Sequence, residues 1–218
     1  MKLGVLSDTH GLLRPEVLSA LDGCEGILHG GDINRQEIID TLKSIAPVYV
    51  VRGNNDKEWA EHIPLFLDIE LSGLRIYMTH KKKDLPRNLT PYGLVVFGHS
   101  HKYEESFQGS TLMLNPGSCG PRRFHQPITM AIVEIRDGRA TASRIDIPHL
   151  ENETAPKGKT PDLKRQIEIV MRETQKGHSP AEVAVRYGMD TVLAEQIARL
   201  YVTHPGVTAD GIMTKMGL

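Results

Sequence analysis

The sequence predicts an α/β fold in which two β-sheets pack face to face with helices outside them. Three observations predict this class. Short apolar runs alternate with amphipathic stretches from Lys2 to Val51, closely spaced strand patterns follow Pro64, and an Asp-Gly pair marks a hairpin between the last two strands. Helical patterns after these strands predict an all-helical appendage at the C-terminal side.

The segment from Lys2 to Val51 is predicted to run strand, helix, strand, helix, strand. Its five elements are, in order, KLGVLS, PEVLSALD, GILHG, NRQEIIDTLKSI and PVYVV. Pro15 opens the first helix, a position that proline favours. Strands that alternate with helices in this way are typical of βαβ units, so we expect parallel pairing.

The segment after Pro64 is predicted to be rich in strands. Its six strands are FLDIELSG, LRIYMT, GLVVFG, STLMLN, ITMAIVEI and ATASRIDI. The last two are joined by residues 136–139, and the Asp137-Gly138 pair is a hairpin signal. We therefore expect this part to be partly antiparallel.

The chain is predicted to divide into a domain over residues 1–150, a linker over 151–161 and a small helical subdomain over 162–218. The stretch PHLENETAPKGKTP holds three prolines and almost nothing apolar, which is typical of a linker. Four helical patterns follow, PDLKRQIEIVMRETQKG, SPAEVAVRYG, MDTVLAEQIARLYV and TADGIMTKMG.

The second and third of these helices have the spacing of a helix-turn-helix, with Gly188 at the turn and Asp190 or Thr191 as the cap. Residues 151–218 hold nine acidic and nine basic residues, so their net charge is zero. The helix that would read DNA offers only Arg199 against Glu195, whereas DNA-binding domains show a basic face. We therefore favour packing or homo-oligomerisation through this tail over nucleic-acid binding.

The composition is that of an ordinary globular protein, with 39% hydrophobic and 24% charged residues among 218. A formal charge of -1 gives no general attraction to nucleic acid or to an anionic membrane. The first residues do not resemble a signal peptide, and no apolar run reaches the roughly 18 residues of a membrane span. We expect a cytoplasmic protein, in which the two cysteines form no disulfide framework.

Five predicted strands end in side chains that bind metals. The ligand candidates are Asp8, His10, Asp32, Asn54, His80, His99 and His101. Loops beyond the carboxyl ends of strands converge in one crevice, so these side chains can meet. Seven oxygen and nitrogen ligands exceed the needs of one tetrahedral zinc, and none is a thiolate, which indicates two ions such as Mn, Fe or Zn. Two ions about 3.5 to 4 Å apart suit phosphoester hydrolysis.

The ordered motifs DxH, GDxN, GNND, a strand-closing histidine, GHxH and NPGS resemble the calcineurin-like metallophosphoesterase superfamily. Within the superfamily, they resemble most the small prokaryotic phosphodiesterase branch. The retromer scaffold subunit, which has lost catalysis, is related to this branch. The resemblance covers about residues 1–148. It implies a four-layer αββα sandwich with the site at one end of the two sheets.

The resemblance implies a role for each ligand candidate. Asp8, His10 and His101 would bind one metal, whereas Asn54, His80 and His99 would bind the other. Asp32 would bridge the two, and a hydroxide between the metals would attack phosphorus. Asp32, Asn54 and His80 are thus also expected to be catalytic. Mn is the favoured metal, although Fe, Ni and Zn tolerate the same ligands.

Several further residues are expected near the site. Asn34 and Asp56 would orient ligands or hold their loops. The NPGS element, which contains Asn115, Gly117 and Ser118, would form a turn behind the site. Arg122 and Arg123 follow it closely enough to contact an anion, and a solvated loop explains them equally well.

Two residues depart from the wider family. Asn55 stands where its protein phosphatases have a histidine that assists the leaving group, which favours substrates with better leaving groups, or phosphodiesters, over alkyl monoesters. Lys81 stands where the branch usually has glycine. Lys82 and Lys83 extend a charge run that is typical of a solvated face. Our hypothesis is that at least one of these three lysines screens a substrate phosphate.

The sequence leaves three functions open. The leading one is metal-dependent hydrolysis of a small phosphoester. The second is a non-catalytic interaction scaffold. The sequence argues against it, because a suitable side chain occupies every ligand position. The third is a regulator whose helical tail binds DNA, which requires positive charge that the tail lacks.

Overall fold

The computed structural model describes residues 1–122, 126–148 and 163–216. The chain forms two compact units, Met1–His149 and Leu150–Leu218. The predicted linker over 151–161 and the predicted site residue Arg123 lie outside the described residues. No helix in the part of the chain that the structure describes is long and apolar enough to cross a membrane.

The first unit is built on ten strands within its described residues. They are β1 (Lys2–Leu6), β2 (Gly26–His29), β3 (Val48–Val50), β4 (Phe66–Leu71), β5 (Leu74–Thr79), β6 (Leu94–Val96), β7 (Tyr103–Gln108), β8 (Thr111–Pro116), β9 (Ile128–Arg136) and β10 (Arg139–Ile147). One sheet has the order β10-β9-β1-β2-β3 and the other has the order β4-β5-β6-β8-β7. Both sheets are mixed, with parallel pairs at β1–β2, β2–β3, β5–β6 and β6–β8. The predicted fold class is confirmed.

Two helices connect the parallel strands of the first sheet. Helix α1 (Pro15–Ala20) follows β1, and α2 (Gln36–Lys43) follows β2. The predicted start of α2 at Asn34 was two residues early, because Asn34 has a φ of 71° and cannot belong to a right-handed helix. Helix α2 buries Ile38, Ile39 and Leu42.

Apolar side chains hold the layers together. Between the sheets, the core contains residues from both, among them Leu3, Val5, Leu28, Ile76, Met78 and Leu94. The helices pack on the other face of the first sheet through residues such as Val17, Leu21, Ile38, Ile39 and Leu42. The outer face of the second sheet packs against Leu89 and Tyr92 from the segment before β6. The strand ends that carry polar side chains lie beyond this core.

Strand β7 is the one that the sequence analysis missed. Its sequence YEESFQ lacks apolar alternation, and it lies at the edge of the second sheet with most of its residues exposed. An edge strand of this kind has little apolar surface to bury, so its pattern is weak. The Asp137-Gly138 hairpin was predicted correctly, and both turn residues have positive φ, 50° and 69°.

The second unit contains the four predicted helices, α3 (Leu163–Gln175), α4 (Pro180–Tyr187), α5 (Thr191–Thr203) and α6 (Ala209–Lys215). They bury a core of their own, which includes Ile167, Val170, Val183, Ala194, Ile197 and Ile212. Gly188 ends α4 with a φ of 62°, and the Asp190 side chain caps α5 by accepting a hydrogen bond from the Leu193 amide.

Candidate metal centre

Five predicted ligands converge at one end of the two sheets. They follow β1, β2, β5 and β6 along the chain and are Asp8, His10, Asp32, His80 and His101. Asp8, Asp32, His80 and His101 are buried, each less than 10% exposed. The carboxyl ends of parallel strands therefore bring together residues that are up to 93 positions apart in sequence (from Asp8 to His101).

The first ligand group contains Asp8, His10 and His101, whose ligand atoms all lie within 4.8 Å of one another. His101 Nε2 is 3.0 Å and His10 Nε2 is 3.6 Å from Asp8 Oδ1. The two Nε2 atoms are 3.2 Å apart. One carboxylate oxygen and two imidazole nitrogens thus face a common point.

The second ligand group contains Asp8, Asp32 and His80 within the same 4.8 Å limit. Asp32 Oδ2 lies 3.5 Å from His80 Nε2 and 3.9 Å from His10 Nε2. Asp32 therefore lies between the histidines of the two groups. Asp8 belongs to both groups, whereas the resemblance gave the shared position to Asp32 alone.

The other two predicted ligands are more open. Asn54 is exposed and lines a pocket beside His80. His99 is also exposed, and its ring lies edge-on to that of His80 with centroids 5.2 Å apart. Both are adjacent to the second group, on its open side.

The buried ligands have the chemistry of a cation site. The Nδ1 atom of His80 lies 2.8 Å from the Gly30 carbonyl, a partner to which Nδ1 can donate, so that the neutral ring presents the lone pair of Nε2 to a cation. Within the described residues, His80 Nε2 and Asp8 Oδ1 are buried atoms without a hydrogen-bond partner. Buried acceptors that face one another without a donor are costly, and divalent cations bound among them would remove that cost. The residues therefore fit the metals that the fold family implies.

The carboxylates of the cluster favour their charged form. Burial raises the pKa of Asp8, but the imidazoles of His10 and His101 outweigh it and hold that pKa well below its ordinary value. Burial likewise opposes ionisation of Asp32, whereas His80 and Asn55 lower the pKa of its carboxyl. The carboxyl groups of Asp8 and Asp32 are thus anionic at neutral pH, as metal ligands would be.

Asp56 and Asn55 hold the ligand loops in place. Asp56 accepts hydrogen bonds from the amides of Ile33 and Asn34 at 2.8 and 2.7 Å, and from that of Gly53 at 2.8 Å. It thereby ties the loop after β2 to the loop after β3. Asn55 donates two hydrogen bonds to Asp32, a role that the sequence analysis missed although Asn55 adjoins a predicted ligand.

The NPGS element braces the site from behind. The Asn115 amide donates to the Gly98 carbonyl at 2.9 Å and to Ser100 Oγ at 3.0 Å. The Ser118 hydroxyl donates to the Asp8 carbonyl at 2.9 Å. The turn thus connects the loop that carries His99 and His101 with the loop that carries Asp8.

His29 is a second residue that the sequence analysis missed. It is fully buried at the end of β2, its Nδ1 accepts from the Gly31 amide at 3.1 Å, and its Nε2 lies 3.1 Å from Thr9 Oγ1. Burial lowers the pKa of His29 to about 4, so the ring is neutral. Its signal in the sequence was a polar residue inside the apolar run GILHG. The His29 side chain holds together the ligand loops that contain Thr9 and Gly31.

The backbone of the site is unusual. Eight non-glycine residues among those described have positive φ, and six lie in the ligand loops, namely Asp8, His10, Asp32, Asn34, His99 and His101. Aspartate, asparagine and histidine tolerate this left-handed region better than most residues. The residue types that coordinate metals are thus also the types that allow these sharp turns.

The three lysines have different surroundings. Lys81 lines the pocket of about 560 Å³ that also contains Asn54 and His80. Lys82 pairs with Glu104 and lies over the ring of Phe97. Lys83 is exposed. Of the three, Lys81 is the one beside the predicted ligands. Burial, His80 and Lys81 together lower the pKa of His99.

Arg122 is exposed and lines a small pocket next to His101. This position is compatible with contact to an anion, which was one of its two interpretations. The other interpretation, a solvated loop, agrees with its exposure.

Comparison with known proteins agrees with this geometry. A profile of the calcineurin-like phosphoesterase superfamily domain matches residues 1–138. A "Probable metallophosphoesterase" of Methanothermobacter thermautotrophicus is 31% identical over 146 residues, which cover 61% of this chain and 85% of that protein. A phosphodiesterase of Methanocaldococcus jannaschii is 28% identical over 141 residues, which cover 55% of this chain and 84% of that protein.

Among solved structures, Vps29 of Entamoeba histolytica in complex with Zn²⁺ matches with a TM-score of 0.52 at 23% identity. The match covers 67% of this chain and 99% of that one. At this identity the likeness concerns the fold alone. Because the family profile spans most of the first unit and its strand ends carry the ligand cluster, the chain belongs to the calcineurin-like phosphoesterase superfamily.

Proposed function

We propose that the protein hydrolyses a small phosphodiester with two divalent cations held at the candidate metal centre. The observation that carries this proposal is the pair of adjacent ligand groups that share Asp8. Asp8, His10 and His101 would hold one cation. Asp32 and His80, together with Asn54 and His99 on the open side, would hold the other.

Two cations bound there would supply the Lewis-acid charge that phosphoryl transfer requires and would make water a stronger nucleophile. The protein residues hold the ligands in place. Asn55 orients both oxygens of Asp32, and Gly30 orients the His80 ring. Lys81 lines the pocket beside the second ligand group, where its ammonium would attract a phosphate oxygen.

We propose a diester rather than a monoester as substrate. An alkoxide leaving group needs a proton donor, and the amide of Asn55 is not an acid. That amide is moreover engaged with Asp32 at 2.7 Å. Substrates with better leaving groups, or diesters, are therefore favoured over alkyl monoesters, and a diester and a monoester with the same leaving group separate these two alternatives.

The test is a screen of diesters against monoesters with protein reconstituted in Mn²⁺, Fe²⁺, Ni²⁺ or Zn²⁺. We propose Mn²⁺ as the metal of highest activity and expect bis(p-nitrophenyl) phosphate to be cleaved faster than p-nitrophenyl phosphate. Asp32→Asn removes an anionic ligand and should abolish hydrolysis. Undiminished hydrolysis by that variant would refute the proposed site.

A non-catalytic scaffold is the alternative, and the likeness to Vps29 in fold is the observation in its favour. The same screen separates the two functions, because a scaffold would bind metal without turnover. The retained ligand groups favour the enzyme.

We propose that the second unit serves packing or self-association rather than DNA binding. Two of its valines, Val185 and Val202, are 84% and 66% exposed, which is unusual for large apolar side chains. Light scattering of the full chain and of a Val185→Lys, Val202→Lys variant would test this. A monomeric wild type would exclude self-association and leave packing, whereas a salt-sensitive shift of DNA by the full chain would contradict the proposal.

A further inference from the structure

We propose that Phe66 and Tyr77 form an aromatic shelf that binds the planar base of a nucleoside phosphate beside the metal centre. This inference rests on the proposed function, because it assigns the group that is attached to the phosphate. It names a class of substrate, diesters that carry a nucleobase, and the residues that select it.

The shelf lies next to the second ligand group. Phe66 opens β4, the edge strand of the second sheet, and is paired in register with Thr79 of β5. Thr79 directly precedes His80 in the chain. Phe66, Tyr77, Thr79 and His80 line one pocket of about 560 Å³, which also contains Asn54. A ligand that reached the metals through this pocket would pass along the aromatic shelf.

The geometry of the shelf suits stacking. The two rings have centroids 5.7 Å apart and planes inclined by 13°. Tyr77 is buried against the outer core of the sheet, whereas Phe66 remains 56% exposed. The neighbouring Leu65 is 59% exposed and lines the same pocket. A firmly supported aromatic ring with an open side is the kind of surface on which bases stack.

The pocket contains cationic side chains that can contact a phosphate, in addition to its apolar surface. Arg52, Lys57 and Lys81 line it, and none of them takes part in an ion pair within residues 1–122, 126–148 and 163–216. The acidic residues Asp56, Glu58, Glu61 and Asp84 also line it, so the three cations act locally and the pocket has no net positive charge. Cations without a partner beside a metal centre attract phosphate, and the shelf supplies the apolar contact that a base requires. A nucleoside phosphate combines both groups.

The chain offers a matched control at the other edge of the same sheet. Phe107 lies on β7, is 64% exposed, and lines a different pocket that contains none of the predicted ligands. Truncation of Phe107 or Phe66 removes a similar exposed ring from an edge strand. Their effects on folding should therefore be alike, whereas their effects on binding should differ.

The test measures binding of AMP and of ribose 5-phosphate to the full chain in Mn²⁺ by calorimetry. The two compounds share phosphate and sugar, so their difference reports the base. Stacking on one aromatic side chain predicts that AMP binds tighter on the order of tenfold. Phe66→Ala should remove this preference and leave the affinity for ribose 5-phosphate unchanged, Phe66→Tyr should keep it, and Phe107→Ala should alter neither affinity.

Equal affinity of the wild type for both compounds would overturn the proposal, as would a preference that survives Phe66→Ala. The outcome is separate from that of the hydrolysis screen. A preference for AMP without any hydrolysis would keep the aromatic shelf and remove the enzymatic proposal. Hydrolysis without a preference for AMP would keep the enzymatic proposal and remove the aromatic shelf.

Discussion

Asn55 donates hydrogen bonds to both carboxylate oxygens of Asp32, from its backbone amide at 2.8 Å and from its side-chain amide at 2.7 Å. The two contacts fix the plane of the carboxylate. Asp32 lies between His10 and His80, so a rotation of its carboxylate would move a ligand atom of the second group and change its distance from His10 of the first. Asn55 is therefore the residue that most directly positions the centre of the site.

Asn55→Ala should weaken metal binding while leaving the fold intact. Loss of an outer hydrogen bond to a metal ligand typically lowers metal affinity about 10- to 100-fold. Titration of the metal-free protein with Mn²⁺ by calorimetry would measure it. Asn88→Ala, which alters an exposed asparagine away from the ligands, is the control, and equal affinities of the two variants would contradict the positioning role.

Lys81→Ala should raise the KM for a diester without abolishing turnover. A hydrogen bond to a charged group contributes about 1.5–3 kcal/mol, which corresponds to a KM change on the order of tenfold or more. Lys83→Ala is the matched control because Lys83 is exposed and does not line the pocket. Identical steady-state kinetics of both variants and the wild type would exclude Lys81 from substrate binding.

Removal of metal should destabilise the first unit. Without a cation, Asp8 and Asp32 keep two anionic groups buried close together. A ligand at 100 times its Kd stabilises the folded state by about 2.7 kcal/mol. Scanning calorimetry in excess Mn²⁺ and in EDTA should show one transition that shifts to lower temperature on chelation. An unaltered thermogram would mean that the buried acceptors bind no cation.

Acid should destabilise the second unit through Glu173. This carboxylate is 2% exposed, and hydrogen bonds from Lys176 and Arg172, at 3.0 Å each, lower its pKa to about 2 from an ordinary value of 4.5. A lowered pKa stabilises the folded state above the unfolded pKa, and this contribution is lost as the pH falls from about 4.5 to about 2. Thermal unfolding followed by circular dichroism would detect the loss.

Glu173→Gln should remove that part of the pH dependence. Glu195→Gln, at an exposed position of α5, should leave it unchanged. If both variants follow the wild-type curve, the ion pairs of Glu173 do not contribute to stability.

The apolar patterns of the sequence were sufficient for most of the fold. Runs such as GLVVFG and ITMAIVEI identify strands because they are buried on both faces of a sheet. The same reasoning missed Tyr103–Gln108, whose stability comes from pairing with β8 rather than from burial of its own side chains. Pairing partners far apart in sequence leave no local pattern.

Candidate ligands were predictable because they occur in the loops that follow strands, where Asp8, His80 and His101 could be recognised by type. The contacts that hold these loops and the neighbouring pocket in place were harder to predict. The contact of His29 with Thr9 and the stacking of Phe66 on Tyr77 depend on strand register. Register is set by the whole sheet, so neither contact could be inferred from residue types alone.

The left-handed backbone of the ligand loops has a consequence for mutagenesis. Alanine at His101, with a φ of 58°, would remove the candidate ligand but keep a Cβ atom in the unfavourable left-handed conformation. Glycine would remove the candidate ligand and also relieve that conformation, because it has no Cβ atom. Comparing His101→Ala with His101→Gly would therefore separate the two contributions, and the difference in unfolding free energy should be about 1 kcal/mol in favour of glycine.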